Sequence, residues 1–384
     1  MTRTASLLQN PSSFDLIVVG AGIVGLAHAY TAARQGLRVC VVEKDAACVG
    51  ASIRNFGFVT VTGQGAGDTW RRARRSREVW GEVAPQAGIA ALHRELWLTA
   101  YRPQARRVLE EFMATPMADA CELLEVEEAR RRAPALRLDG DQPAQAVLYS
   151  PHEMRVESRT AIGQLTRWLA DTWGVQFRFS EAVLEVATPT VRTSRATLQA
   201  ERVVVCTNAD LNGLFAERLT PHQLRLCQLH MLRVQPGPGF QLPGSVMMDL
   251  SLVRYLGYSQ LPAAALLRQQ LEREESESLA HGIHLIVVQS ADGSLVVGDS
   301  HHYGPVLEPF APQRVDELIL EHLRRTVHLQ EARVTERWVG TYPSSAHTDC
   351  IIDQPDDATR VVLVTSGTGA STAFGIAEEV FHAW

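Results

Sequence analysis

Hydrophobic and polar positions change period several times along the chain. Residues 14–44, FDLIVVGAGIVGLAHAYTAARQGLRVCVVEK, read as an apolar strand, a glycine turn, an amphipathic helix stopped at Gly36, and a second apolar strand ending at Glu43. Together these form a βαβ unit. Residues 68–82 set Arg71, Arg72, Arg74, Arg75 and Arg77 between Trp70 and Trp80, which predicts a helix with one solvated, basic face. Strand-like LHRELWLTAY follows, then charged helices over 104–113 and 125–132, and QAVLYS before a break at Pro151. A long helix over 158–172 leads into strands at 175–187 and 196–199, and RVVVCTNAD (202–210) is a buried strand running into a turn.

Between 223 and 303 the runs lengthen and alternate: QLRLCQLHMLRVQ, LVRYLGY, IHLIVVQS and SLVVGDSHHYG, with a charged helical insert at 262–280. This pattern predicts a mixed or antiparallel sheet. A helix at 313–328 precedes a strand, ARVTERWVGTYP, and then TRVVLVTSGTGASTAFGIAEEVFHAW, a strand, a Gly/Ser/Thr turn and a closing helix. No repeat or low-complexity linker separates these patterns, and 384 residues exceed one typical core. The expectation is an α/β protein of two interwoven domains. Segments 1–90, 151–222 and 330–384 form a doubly wound nucleotide domain, and 91–150 with 223–329 form an α+β substrate domain built on an antiparallel sheet.

Composition narrows the partners. Net charge is −6 with no basic block, which argues against nucleic acid. No apolar run approaches the roughly 18 residues of a membrane helix, and the first 14 residues lack the order of a signal peptide, so a cytoplasmic protein is expected. The six cysteines have neither metal-ligand nor redox spacing, so free thiols and no metal are expected. Of 37 basic residues only Lys44 is a lysine.

Gly20, Gly22 and Gly25 form G-x-G-x-x-G between strand and helix, with Ile23 and Val24 opening the helix. The first glycine permits the tight turn, the second lets the backbone approach a pyrophosphate, and the third lets helix and strand pack closely. Glu43, 18 residues beyond Gly25, is placed to accept hydrogen bonds from ribose hydroxyls. This points to a dinucleotide. An NAD-dependent dehydrogenase would continue with closely spaced βα units, whereas GASIRNFGFV (50–59) follows instead. A second glycine turn, Gly367, Thr368 and Gly369 before Ala370, Ser371 and Thr372, opens the last helix, and such a terminus suits the negative charge of a reduced flavin.

Fingerprint, 50–59 loop and C-terminal glycine turn, in this order, make the chain resemble the D-amino acid oxidase family of FAD enzymes, in the branch containing glycine oxidase and sarcosine oxidase. The stretches RYLGY, GDSHHYG and RWVGTYP further resemble a subgroup associated with aminophosphonate breakdown. The resemblance implies FAD held by Gly20, Gly22, Ile23, Val24 and Gly25 at the pyrophosphate and by Glu43, with Lys44 beside it, at the ribose. Ser52, Arg54, Asn55, Phe56 and Gly57 would follow the flavin ring, Val183 would meet adenine through its backbone, and Thr207 and Asn208 would lie near the pyrophosphate. Gly367, Thr368, Gly369, Ala370, Ser371 and Thr372 would cap the pyrimidine edge. Sarcosine oxidases carry a cysteine, covalently bound to flavin, two residues before a strand tyrosine; that tyrosine matches Tyr342, and Gly340 stands in the cysteine's place, which implies non-covalent FAD. Their oxygen-activating lysine has no counterpart, because Lys44 follows Glu43. Either His301, His302 or an arginine supplies that charge, or electrons pass to an acceptor other than oxygen.

The family reaction moves hydride from the carbon beside an amine to flavin and leaves an imine that hydrolyses. An anionic amine substrate calls for arginine, whose planar fork pairs with carboxylate or phosphonate. Arg54 and Arg254 are the candidates, with Tyr255, Trp338 and Tyr342 as further substrate contacts, although burial alone also accounts for the aromatic residues. His301, His302 and Tyr255 are the candidate catalytic groups; adjacent strand residues face opposite ways, so one of the two histidines faces the cavity. His230, His281 and His284 read as structural. Two further readings remain open: an oxidase or dehydrogenase acting on glycine, sarcosine or a D-amino acid, and a non-catalytic FAD-binding subunit of a larger complex.

Overall fold

The structure, a computed structural model, describes residues 13–384. The start of the 1–90 segment, and nearly all of the 14 residues expected to carry no signal sequence, lie outside that range. The first strand, Ser13–Val19, is followed by a helix, Ile23–Arg34, and a parallel strand, Val39–Val42. Thr197–Val205 flanks the first strand on its other side, and Thr359–Val364 extends the parallel sheet from Thr197–Val205. Alternate residues explain why this sheet is apolar throughout. Leu16, Val18, Val39, Val41 and Val204 pack under the helices, and Ile17, Val19, Cys40, Val42 and Val203 pack on the opposite face.

The second sheet is built around Arg225–Pro236. Leu295–Gly298 and His302–Gly304 pair along one edge of this strand, and Ala332–Ser344 pairs along the other from Arg225↔Ser344 to Pro236↔Ala332. The remaining strands continue antiparallel apart from one parallel pair, Ser245–Met248 with Leu96–Ala100. A three-stranded sheet of Phe58–Val59, Met154–Val156 and Ala91–His93 lies apart from both larger sheets.

Four expectations change. The strand Ala332–Ser344, assigned to the nucleotide domain by the boundary at 330, belongs by pairing to the second sheet, and the nucleotide sheet regains the chain only at Cys350–Asp356. LVRYLGY is not a strand: a 3-10 turn, Asp249–Val253, runs into a short helix, Leu256–Ser259. Gly257 there presses on the 63–64 backbone, where a Cβ would stand 2.5 Å from Gln64 O, so the segment docks edge-on instead of pairing. The stretch 175–187 breaks at Ser180, whose φ is +53°, into Gln176–Arg178 and Val183–Ala187. Finally, the basic face of helix Asp68–Gln86 is only partly solvated: Arg71 and Arg74 are exposed, but Arg72 and Arg75 are engaged. Arg72 pairs with Glu379 and Arg75 with Glu378 on the closing helix Gly369–His382, Ser76 Oγ accepts from Gly375 N, and Trp80 Nε1 donates to Ala370 O. Arginines that periodicity alone reads as surface therefore clamp the helix whose N-terminus carries the second glycine turn.

Candidate functional site

A cavity of about 1400 Å³ runs from the glycine turn of the first sheet to the Asp249–Ser259 turn above the second. Drug-sized ligands occupy roughly 300–1,000 Å³, so this space suits an extended dinucleotide together with a small substrate.

At the nucleotide end, the chain order strand, glycine, helix fixes the geometry. Gly20 has φ +103°, and a Cβ there would stand 2.6 Å from Cys206 O. Gly25 does not line the cavity; its missing Cβ would stand 2.0 Å from Gly20 O, so it serves helix–strand contact, as the motif predicts. Ser52 reaches across from the 50–59 loop and its Oγ accepts from Ile23 N at 3.0 Å, which fastens that loop to the helix N-terminus. Glu43 accepts from Ala21 N and Asp45 N, which orients its carboxylate into the cavity wall. Lys44 is tied to Asp45, and Val183, Thr207 and Asn208 complete the lining. Thr207 Oγ1 is buried without a partner, and Asn208 adopts φ +52° beside it. An unfilled buried hydroxyl next to an amide-lined glycine turn fits a phosphate-bearing group.

The 50–59 loop is braced from within. Asn55 Nδ2 donates to Ala51 O and its Oδ1 accepts from Gly57 N, so the Asn55 side chain is spent on loop shape, although the residue lines the cavity. Phe56 is buried and Gly57 lies under Val156, with φ +67° and a would-be Cβ at 1.8 Å from Val156 O. Trp338 and Gly57 fall outside the cavity lining: the indole Nε1 donates to Arg54 O at 3.0 Å and holds the loop from behind. Trp338 is therefore a brace where a substrate contact was expected: it shares a strand face with Gly340 and Tyr342, but it lies beyond the end of the cavity and its indole is spent on Arg54 O. Trp338→Phe removes one hydrogen bond worth about 0.5–1.5 kcal/mol. It should lower Tm by about 1–2 °C in a thermal melt while flavin absorption is retained.

Gly367, Thr368, Gly369, Ala370 and Ser371 face the cavity at the closing helix, and Thr372, its Oγ1 donating to Thr368 O, stays buried behind them. Ser371 Oγ accepts from Thr60 N, so this turn is joined to the residue that follows the 50–59 loop.

At the other end stand Arg254, Tyr255, Tyr303 and Tyr342 with a cluster that sequence reasoning divided wrongly. Arg254 Nη2 donates to Tyr303 Oη at 3.1 Å and reaches Tyr342 Oη at 3.4 Å, and no carboxylate of the described residues lies within ion-pair distance of it. His301 lines the cavity and His302 does not; His302 turns to His281, with Nε2 3.0 Å from His281 Nδ1. His284, read as structural, is also at the cavity wall, as is Asp299, which the sequence reading passed over inside GDSHHYG. His284 Nε2 is 3.1 Å and His301 Nε2 is 3.7 Å from Asp299. Burial, then the Arg254 charge, hold both imidazoles well below their ordinary range, so neither is a cation at neutral pH. Burial pushes the Asp299 carboxyl up to about 7, against the pull of Arg254. The donor atoms of these three residues lie within 4.8 Å of one another. Arg254 acting on all three disfavours a divalent ion there.

Among the described residues no helix is long and apolar enough to cross a membrane. No curated protein matches this sequence. Solved structures with the same fold include glycine oxidase from Geobacillus kaustophilus (16% identity, TM-score 0.76, 96% of this chain and 94% of that one). Iminodiacetate oxidase from Chelativorans sp. BNC1 superposes with TM-score 0.69 at 18% identity, over 94% of this chain and 93% of that one. L-alpha-glycerophosphate oxidase from Mycoplasma pneumoniae, solved with FAD bound, gives 0.73 at 17% identity, over 97% and 95%. The family described as FAD dependent oxidoreductase matches residues 15–383, and with the glycine turn, the unfilled hydroxyl of Thr207 and a cavity of dinucleotide size, the chain belongs to the DAO family of FAD-dependent oxidoreductases.

Proposed function

We propose that this protein oxidises the C–N bond of a small amine that also carries an anionic group, with an aminophosphonate such as N-methyl-2-aminoethylphosphonate as the substrate. The observation that carries the reading is Arg254. Its guanidinium lies in the cavity wall, is steadied by two tyrosine hydroxyls, and has no carboxylate partner among the described residues. A part-buried cation without a counter-ion is a prepared anion site. Arg54 also lines the cavity, but its exposed side chain has no such scaffold.

FAD, when bound, supplies the hydride acceptor. The residues of this chain orient it: Gly20, Gly22, Ile23 and Val24 at the pyrophosphate, Glu43 at the ribose, Val183 at the adenine, Thr207 and Asn208 beside the phosphates, and the Gly367 to Ser371 turn at the pyrimidine edge. Non-covalent attachment is supported by Gly340, and by the state of the thiols at the cavity, Cys48 and Cys206. Burial pushes the Cys48 thiol up to about 11 and Cys206 higher still, so neither is a thiolate. For reaction with oxygen, the neutral His301 leaves Arg254 as the cation in place of a lysine.

An anaerobic panel tests the reading. N-methyl-2-aminoethylphosphonate, 2-aminoethylphosphonate, glycine, sarcosine and D-alanine are added to the flavoprotein, and the loss of its visible absorption is followed. Aminophosphonates should bleach it at lower concentration than the carboxylates. Preference for a carboxylate amine would move the reading to a glycine, sarcosine or D-amino acid enzyme, and no bleaching by any amine would favour a non-catalytic FAD subunit.

A further inference from the structure

We infer that Asp299, flanked by His284 and His301, is the subsite that receives the substrate's ammonium group and takes a proton from it. This deepens the amine-oxidation reading above and rests on it.

Hydride can leave the carbon only when the neighbouring nitrogen has a free electron pair, so an alkylammonium substrate must first lose a proton. The cavity holds one carboxylate suited to accept it. Asp299 is buried, lines the cavity, and has no arginine or lysine within ion-pair distance; the two approaches to its oxygens are from imidazoles. The 3.1 Å approach of His284 Nε2 is not aligned as a hydrogen bond, and Oδ1 has no partner. A buried carboxylate oxygen in that condition is costly unless a donor arrives.

The platform is rigid. Asp299 N donates to His284 O, His284 N to Asp299 O, and His301 N to His281 O, so the 281–284 and 299–301 segments are zipped together. Gly298 lies against Phe56, with a would-be Cβ at 3.2 Å from its Cζ, which places the Asp299 turn beside the 50–59 loop. His301 has a defined tautomer. Its Nδ1 is 2.9 Å from Gly282 O, and since a carbonyl only accepts, the proton sits on Nδ1 and Nε2 presents a lone pair towards Asp299. The groups facing Asp299 are therefore Arg254 and Tyr255 from the Asp249–Ser259 turn, His284 and His301, and Cys227 from the long strand. Arg254 takes the anionic end and Asp299 the ammonium end of one molecule.

The step balances simply. An N–H bond of the ammonium breaks and an O–H bond forms on Asp299, the nitrogen keeps the electron pair, and the C–H pair would then leave as hydride to bound FAD, giving an iminium ion that water hydrolyses. Asp299 is the stronger base of the pair, so the proton stays on its carboxyl, with the lone pair of His301 Nε2 facing it at 3.7 Å. Asp299 is the acceptor while ionised, so the limb should rise as pH passes through about 7.

The test is the pH dependence of anaerobic flavin reduction by N-methyl-2-aminoethylphosphonate, with glycine and sarcosine beside it. In the wild-type protein the rate constant should rise to a plateau with an apparent pKa near 7. In Asp299→Asn, flavin content should be unchanged, the rate at pH 7.5 should fall about a hundredfold, and the limb should move to the amine's own pKa of about 10, with activity within several-fold of wild type above it. Recovery at high pH is what a merely structural role would not give. A wild-type limb at the amine's own pKa, a uniform loss at every pH, or activity that depends on a bound divalent metal removable by chelator would overturn the assignment. If Asp299→Asn loses flavin, the wild-type limb and His301→Gln, expected to slow reduction several-fold without moving the limb to 10, still decide it. No reduction of the wild type by any amine would instead defeat the functional reading on which this one stands.

Discussion

Replacing Gly25 with alanine should yield a protein that no longer retains flavin. The added Cβ would stand 2.0 Å from Gly20 O, 3.1 Å from Gly20 C and 3.2 Å from Val18 Cγ1. Two of these obstacles are backbone of the turn itself, so no rotamer change relieves them, and the helix Ile23–Arg34 must lift off the sheet. Adding a methyl group to a packed core costs about 1–3 kcal/mol when side chains can adjust; here the cost lies at or beyond the upper end. Lifting also breaks the bond from Ile23 N to Ser52 Oγ and displaces the amides proposed to meet the pyrophosphate. The expected readout is a flavin content below about a tenth of wild type after desalting, with a lowered Tm. Gly163→Ala is the control. It sits inside the helix Ser158–Trp173 with nothing within 4 Å of its Cβ, so it should gain up to about 1 kcal/mol and keep its flavin.

The contrast between these two glycines also marks what a sequence can convey. At Gly25 the requirement is local, because the obstructing atoms are five and seven residues away, and the motif records it. The nucleotide end of the cavity was legible for that reason: Gly20, Gly22 and Glu43 lie within one βαβ unit whose period and turn are both visible. The substrate end was not. Asp299 and His284 meet across two strand ends, and nothing in GDSHHYG or IHLIVVQS distinguishes a buried carboxylate at a cavity wall from a polar turn residue. Tertiary pairing likewise decided Trp338, whose aromatic character suggested a substrate contact while its indole N–H was committed to Arg54 O. It decided Arg72 and Arg75 too, since a helix period cannot reveal that Glu378 and Glu379, some three hundred residues later, face them. The cavity receives His301 and not His302, although His301 precedes the strand His302–Gly304, so the turn after Gly298, and not strand alternation, sets the two apart.

Arg254→Met should lower kcat/KM for an anionic amine by about 10²–10⁴ while leaving flavin content unchanged. Two charge-assisted hydrogen bonds to a carboxylate or phosphonate contribute about 1.5–3 kcal/mol each, and every 1.4 kcal/mol is a factor of ten. Methionine keeps much of the stem's packing, and Tyr303, itself partly exposed, can turn its hydroxyl to water. If Arg254 anchors ground state and transition state alike, the loss should fall mainly on KM, and Arg254→Lys should restore part of it as a point charge without the fork. Arg54→Met, at the exposed position, should cost several-fold at most; a larger loss there than at 254 would move the anchor to the 50–59 loop. The same substitution at 254 carries a second signature. The Arg254 charge draws the Asp299 carboxyl downwards against burial, so removing it should shift the ascending limb of flavin reduction to higher pH than the wild type's. A fall in kcat/KM with an unmoved limb would mean that anion binding and proton acceptance are electrostatically separate, whereas a joint change follows if one guanidinium governs both ends of the substrate.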